Sequence, residues 1–373
     1  MSTAKGRPLM TVGDYRCRAQ ERMSSEGWSF YNDASGRRST YNDSMEAFDR
    51  YVIRPRILRD VTHRTLSTTV LGQPISMPIC VAPTSYHRYA HTSAEVETAK
   101  GAADADTLFV MSCYANASIS DVSRAAPGGL KWMQLYLFKD RRISEHVVKE
   151  AEKEGFKAIV LTVDLPFTGN RAFSQKRPSG KYYQDPTFRP VNLAIDIPEI
   201  HKAIQSGDVC IRRFLEEQGE SPQTWDDVRW LKYITKLPIV LKGILTGEAA
   251  REAADAGVSG IIVSAHGGRQ IDGISSPIDA LTEVVSAVKG RGVEVYMDGG
   301  VMSGADVLKA LGLGARAVLI GKPVLWALAC EGSSGVKNVL SILGAELDSA
   351  LGISGCTSPN EIPSNLIGRK SLL

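Results

Sequence analysis

No two cysteines of this 373-residue chain stand in a Cys-x-x-Cys spacing. Cys17, Cys80, Cys113, Cys210, Cys330 and Cys356 are scattered, which excludes a zinc site built on cysteine pairs and fits the reduced thiols of an intracellular protein. No stretch approaches the ~20 apolar residues that cross a bilayer, and the opening MSTAKGRPLM has no apolar core of signal-peptide length. Neither secretion nor a membrane partner is therefore expected. Net charge is only +3, too mild to argue for nucleic acid and compatible with a small anionic substrate. No Gly-x-Gly-x-x-Gly follows the first strand-like run, which counts against a doubly wound dinucleotide fold. The chain is long enough to bury a sufficient core without disulfides. Its end, Ser371-Leu372-Leu373, resembles a Ser-Lys-Leu peroxisomal address with leucine at the basic middle position, so the peroxisome or the cytoplasm is the expected compartment.

What the chain does have is a set of short aliphatic runs ending in polar or glycine-rich loops, the pattern of buried parallel strands. They are Ile79–Ala82, Leu108–Ser112, Lys131–Leu137, Ala158–Val163, Ile239–Lys242, Gly260–Ser264, Val293–Met297 and Ala317–Ile320. Amphipathic helical stretches such as Ser93–Asp104, Ser144–Glu154 and Gly247–Ala256 lie between them. Strand followed by helix, eight times over, predicts an α/β fold of the TIM (β/α)₈ barrel type. The fourth step is about 50 residues too long, so an insertion spanning about 167–225 is expected at the catalytic face, where it could act as a lid. We divide the single domain into a helical N-terminal segment (1–66), the barrel (67–350) and a tail (351–373), with Ser44–Tyr51 read as a helix.

Catalytic groups of a barrel come from the carboxyl ends of its strands. Those positions hold Ala82-Pro83-Thr84-Ser85, Ser112-Cys113-Tyr114, Gln134-Leu135-Tyr136, Thr162-Val163-Asp164, Lys242-Gly243, Ser264-Ala265-His266-Gly267-Gly268-Arg269, Asp298-Gly299-Gly300 and Gly321-Lys322. Every end carries polar groups suited to a ligand. The glycines after strands seven and eight match a barrel phosphate site, where backbone N–H groups and a helix N-terminus hold an anion; taken alone they are equally explained by tight turns. His266 and Arg269 can place a base and a carboxylate anchor in one pocket. A buried Lys242 is costly without a partner, which points to a ligand. Asp164 read on its own could simply cap the turn that follows it.

The segment SAHGGRQIDG resembles the signature of the FMN-dependent 2-hydroxy acid oxidase and dehydrogenase family. So do FYNDASG, RPRILRDV, APTSYHRYAH, MQLYLFKDR, TVDLPFTGNR, LKGILTGEAA and DGGVMSGADVLKALGLGARAVLIGKP, in order along nearly the whole chain. The resemblance implies oxidation of a small (S)-2-hydroxy acid to the 2-keto acid, with FMN as cofactor and oxygen as acceptor, giving hydrogen peroxide. It implies His266 as base, Asp164 as the carboxylate stabilising its imidazolium, and Arg269 and Arg171 as substrate-carboxylate anchors assisted by Tyr31. Tyr136 would bind the substrate hydroxyl, Tyr114 would shape the substrate pocket, and Lys242 would favour reduced, anionic flavin. Ser112, Gln134, Thr162, Ser264 and the backbone of Ala82, Pro83, Thr84 and Ser85 would contact the flavin, while Asp298, Gly299, Gly300, Gly321 and Lys322 would form its phosphate end. A homotetramer is expected on the same ground.

Departures accompany the resemblance. Met302 stands where the family usually has a phosphate-gripping arginine, and Lys322 replaces a second one. A bidentate donor is lost and another becomes a point charge, so FMN retention is expected to weaken by about 1–3 kcal/mol. Ala265, Tyr114 and Thr168 suggest an altered substrate pocket. Ser85 leaves oxidase against dehydrogenase open, the latter with a quinone or protein acceptor. An FMN-poor, non-catalytic barrel and a different phosphate-binding barrel enzyme, such as a flavin-dependent isomerase or nucleotide dehydrogenase, are the readings from other classes.

Overall fold

Each of the eight strand-like runs forms a strand in the computed structural model, which describes residues 8–166, 191–193 and 222–372. Ahead of the barrel come α1 (Val12–Arg22), α2 (Ser25–Asn32), α3 (Ser39–Glu46), the short strand β1 (Tyr51–Ile53) and the hairpin β2–β3 (Thr68–Val70, Gln73–Ile75). Then strand and helix alternate: β4 (Ile79–Val81), α4 (Ala94–Asp104), β5 (Phe109–Ser112), α5 (Ile119–Ala125), β6 (Lys131–Leu135), α6 (Arg141–Lys153) and β7 (Ile159–Thr162). The second half runs α7 (Trp225–Ile234), β8 (Ile239–Ile244), α8 (Gly247–Asp255), β9 (Gly260–Val263), α9 (Pro277–Ala287), β10 (Glu294–Asp298), α10 (Gly304–Gly312), β11 (Val318–Ile320) and α11 (Lys322–Ile353). A last strand, β12 (Ile367–Arg369), pairs antiparallel with β1 and ties the C-terminal tail to the N-terminal segment.

Strands β4 to β11 close into a parallel barrel, β9 pairing with β10 and β11 with β4. The helices cover it because their apolar residues recur at helical spacing: on α6, Ile143, Val147, Val148 and Ala151 are all buried. Burying each such branched side chain stabilises the fold by roughly 1.5–3 kcal/mol. Inside the barrel, Cys80, Val110, Trp132, Val160, Val240, Ile262, Tyr296 and Leu319 form one apolar cluster with Val70 and Ile75 of the hairpin. Side chains alternate along a strand, so the residues two positions further on point inward one layer higher. Those are Ala82, Ser112, Gln134, Thr162, Lys242, Ser264, Asp298 and Gly321, a mostly polar layer above an apolar one.

One expectation changes. Ser44–Tyr51 is not one helix: α3 ends at Glu46, a 3-10 turn covers Ala47–Arg50, and Tyr51 already pairs as a strand. Arg50 reaches Asp43 and Asp279, and Tyr51 Oη donates to Asp279 at 2.9 Å, so tertiary anchoring overrides local helix propensity. Most of the insertion, with Thr168 and Arg171, lies outside the described residues. Among those described, no helix is long and apolar enough to cross a membrane.

Candidate active site

The polar layer floors a cavity of about 360 Å³ at the carboxyl ends of the strands, within the size range of small-molecule sites. A chain of side-chain hydrogen bonds crosses four strand ends. Ser85 Oγ lies 3.3 Å from Ser112 Oγ, Ser112 Oγ donates to Gln134 Oε1 at 3.2 Å, and Gln134 Nε2 donates to Thr162 Oγ1 at 3.0 Å. Ser112, Gln134 and Thr162 are buried, and each orients its neighbour.

Lys242 continues this floor on the next strand, β8, in register with Thr162, and is 5% exposed. Its Nζ lies 3.2 Å from Asp298 Oδ2 and donates to Ser264 Oγ at 2.9 Å. Burial pushes its pKa down, but the charges of Asp298 and Asp164 outweigh that and hold it above the ordinary lysine value. The partner that its burial demanded is thus Asp298, and a ligand is not needed to explain it. This corrects the sequence-based inference and gives Asp298 a role as counter-ion. Ser264 is fully buried and does not line the cavity; it accepts from Lys242 and from the His266 backbone N–H at 3.1 Å.

His266 Nδ1 and Asp164 Oδ1 are 2.7 Å apart. Burial alone would raise the Asp164 pKa, but the His266 charge and hydrogen bond, with Lys242 beyond, bring it below the ordinary carboxylate value. An ionised Asp164 requires the proton on Nδ1, which leaves the lone pair of neutral His266 on Nε2. Strand β8 makes room for the pair. Its register with β9 breaks between Lys242 and Ile244, and Gly243 there has φ +114°. A Cβ on Gly243 would lie 2.6 Å from Asp164 Cβ, so the bulge and the missing side chain together seat the carboxylate. His266 is itself held at φ +52°, a left-handed backbone uncommon for histidine and found at functional sites.

Arg269 is fixed from the N-terminal segment. Its Nη1 donates to Phe30 O at 2.6 Å and Asp33 O at 3.2 Å, and its guanidinium lies 5.3 Å from the Phe30 ring centroid. Tyr114 and Tyr136 line the cavity with ring centroids 5.5 Å apart. Tyr31 also borders it, but its hydroxyl donates to Tyr86 O at 2.6 Å.

At the far end Gly299, Gly300, Gly321, Lys322, Met302 and Trp326 line the cavity. Gly300 is required by packing: a Cβ there would fall 1.8 Å from Ser44 O of α3. Gly321 starts α11 with no side-chain cap, so the N-terminus of that helix opens on the cavity. Met302 offers little to an anion, because its backbone N–H donates to Asp306 Oδ2 at 3.1 Å in the capping box of α10. The sequence reading missed the third wall, made by Phe30, Tyr41, Ser44 and Met45. Phe30 begins the FYNDASG segment but is given no role there, and nothing in the local pattern marks Tyr41, Ser44 or Met45, because the folding-back of the N-terminal segment brings them here.

These residues fit FMN. Asp298 Oδ1 and Asp164 Oδ2 have no hydrogen-bond partner among the described residues, and the floor presents donors and acceptors on one side and a cationic, uncapped helix end on the other. A closed parallel barrel with a buried lysine, a histidine–aspartate pair and an anion seat at its catalytic face defines a barrel oxidoreductase of the flavin-binding class. The chain belongs to the FMN-dependent dehydrogenase family, which it matches over residues 19–369. It is 41% identical to 2-hydroxyacid oxidase 1 of Mus musculus, over 98% of each chain. It is 44% identical to 2-hydroxyacid oxidase 2 of Rattus norvegicus, over 96% of this chain and 98% of that one. A solved structure of mandelate oxidase with benzoyl-formic acid superposes with a TM-score of 0.83 at 36% identity, over 97% of this chain and 98% of that one.

Proposed function

We propose that the chain oxidises a small (S)-2-hydroxy acid to its 2-keto acid with oxygen as final acceptor, releasing hydrogen peroxide. The observation that carries this reading is the His266–Asp164 pair at 2.7 Å beside the anchored Arg269, on the rim of the polar floor. FMN, when bound, supplies the two-electron acceptor. Asp164 holds the His266 imidazole in the tautomer whose Nε2 takes a proton from the substrate and stabilises the imidazolium that results. Arg269 meets the substrate carboxylate, its guanidinium plane set by the Phe30 and Asp33 carbonyls. Tyr136 binds the substrate hydroxyl, and Arg171 would be a second carboxylate anchor. Tyr114 shapes the side-chain pocket. Lys242 keeps a positive charge at the floor, which favours a reduced, anionic cofactor ring. A homo-oligomer in the peroxisome or cytoplasm is part of the same proposal.

The test is the visible spectrum of FMN-loaded protein mixed anaerobically with glycolate, lactate and mandelate. Bleaching of the flavin band by one of them, reversed within seconds by air, is the expected result. Bleaching that air reverses only slowly would assign a dehydrogenase with another acceptor. A flavin band untouched by every hydroxy acid would end the proposal.

A further inference from the structure

Lys322 lies at the far end of the cavity with its Nζ 4.7 Å from the Tyr41 ring centroid and 3.4 Å from Gly267 O. Arg38, which precedes α3, lies 4.7 Å from the same centroid, so the two cations are at most about 9 Å apart, inside the roughly 10 Å Debye length at 0.1 M salt. Arg16 of α1 lies 5.8 Å from the ring of Trp326, and Tyr41 and Trp326 both line the cavity. Among the described residues none of these three cations forms an ion pair, whereas Arg50, Arg64, Arg141 and Arg369 all do. Burial and the charges of Arg269, Arg38 and Arg16 together bring the Lys322 pKa down to about 7, against the opposing pull of Asp298. Like charges gathered at the uncapped start of α11 repel one another until an anion joins them. Met302, with no charge and its N–H committed to Asp306, does not add to the seat.

We infer that Arg16 and Arg38 of the N-terminal segment complete the seat of the FMN phosphate with Lys322, so that cofactor binding and docking of residues 8–50 on the barrel reinforce each other. This rests on the reading of the site as an FMN site. Tyr41 is the joint between the two parts. Its ring carries Lys322 and Arg38, and its backbone packs so closely on the loop after β9 that a Cβ on Gly268 would lie 2.8 Å from it. Phosphate charge drawn to this end is shared between barrel and segment, and the segment is held more firmly in return.

The experiment titrates full-length apo-protein with FMN and, in parallel, with riboflavin, which lacks the phosphate, following the quenching of flavin fluorescence. Wild-type protein tests the underlying reading; failure to bind FMN overturns it and this inference together. If FMN binds, the Arg16→Gln/Arg38→Gln double variant is expected to lose tenfold or more in FMN affinity and to keep its riboflavin affinity. Adding Met302→Arg to that variant is expected to restore most of the loss, and in wild type to gain less, the non-additivity of two routes to one charge. FMN is also expected to slow amide exchange in residues 8–50 of wild type more than of the double variant. Unchanged FMN affinity in the double variant, or equal losses for FMN and riboflavin, would overturn the inference while leaving the flavin site intact.

Discussion

The two ends of the cavity are stabilised in opposite ways. At the floor, charge and hydrogen-bonding capacity are matched within the protein: Lys242 has Asp298 and Ser264, His266 has Asp164, and Ser112, Gln134 and Thr162 have one another. All these groups stand on strands or one to three residues beyond them, so the barrel fixes them to within a rotamer. At the anion end, Lys322, Arg38 and Arg16 lean on aromatic rings, make no ion pair among the described residues, and come from two separate parts of the chain. A preorganised floor suits chemistry, where reorganisation at the moment of reaction is costly. A charge-frustrated end suits retention of a cofactor, because the repulsion is relieved only on binding.

The largest effect expected from breaking this contrast is at the floor. His266→Gln keeps a polar side chain but removes the base, and turnover should fall by about 10²–10⁴ with FMN affinity unchanged. Stopped-flow reduction of the bound flavin and fluorescence titration measure the two quantities. A parallel loss of FMN would mean that the floor and the anion end are not separable.

The affinity for FMN should answer to pH through the anion end. With the Lys322 pKa at about 7 in the free protein, an FMN phosphate arriving above that pH must bring back a proton. Arg269, Arg38 and Arg16 oppose that proton and Asp298 favours it. The phosphate second ionisation lies near 6, so the ligand is already a dianion there. FMN affinity should therefore be greatest near neutrality and fall by up to about tenfold per pH unit above it, until the raised pKa of the complex is reached. Lys322→Arg, whose charge is permanent, should flatten the profile. Titrations of both proteins from pH 6.5 to 9 decide the matter, and parallel profiles would remove Lys322 from the seat.

The contrast also explains which parts of the site could be read from the sequence. A strand end announces itself twice, by the aliphatic run that precedes it and by the alternation that puts Val110 and Ser112, or Val240 and Lys242, on one inward face. The eight strands and the floor were legible for that reason, with ends displaced by a residue or two. Phe30, Tyr41 and Met45 reach the cavity only through tertiary folding, anchored by contacts such as Asp272 to the Thr40 backbone N–H at 2.8 Å, far apart in sequence. Arg16 and Arg38 do not line the cavity, and only the folding of the segment sets them against its Trp326 and Tyr41 rings. Asp298 was legible as a site residue but not as the counter-ion of Lys242, because which two inward side chains meet depends on strand order around the barrel.

A smaller effect is expected where the backbone, not a charge, seats the catalytic pair. Gly243→Ala would force a left-handed alanine into the β8 bulge and drive its Cβ against Asp164. The expected outcome is a stability loss of about 1–3 kcal/mol, read as a lowered midpoint in urea, and a larger fall in kcat than in FMN affinity. Displacing Asp164 releases His266 without touching the anion end. A variant that lost stability alone would show that the bulge serves packing and that the pair tolerates the shift.

Tyr31 gives the smallest and most discriminating change. Its hydroxyl is spent on Tyr86 O at 2.6 Å, and burial with the nearby Glu95 charge raises its pKa well above the ordinary phenol value, so it stays neutral. The resemblance would have that hydroxyl assist the substrate carboxylate; the geometry turns it towards the backbone instead. If the geometry governs, Tyr31→Phe removes one buried hydrogen bond, lowers stability by about 1 kcal/mol, and leaves KM for the hydroxy acid within twofold. A KM raised tenfold with stability unchanged would return Tyr31 to the substrate. It would also mean that the N-terminal wall contributes to the reacting end of the cavity as well as to its anion end.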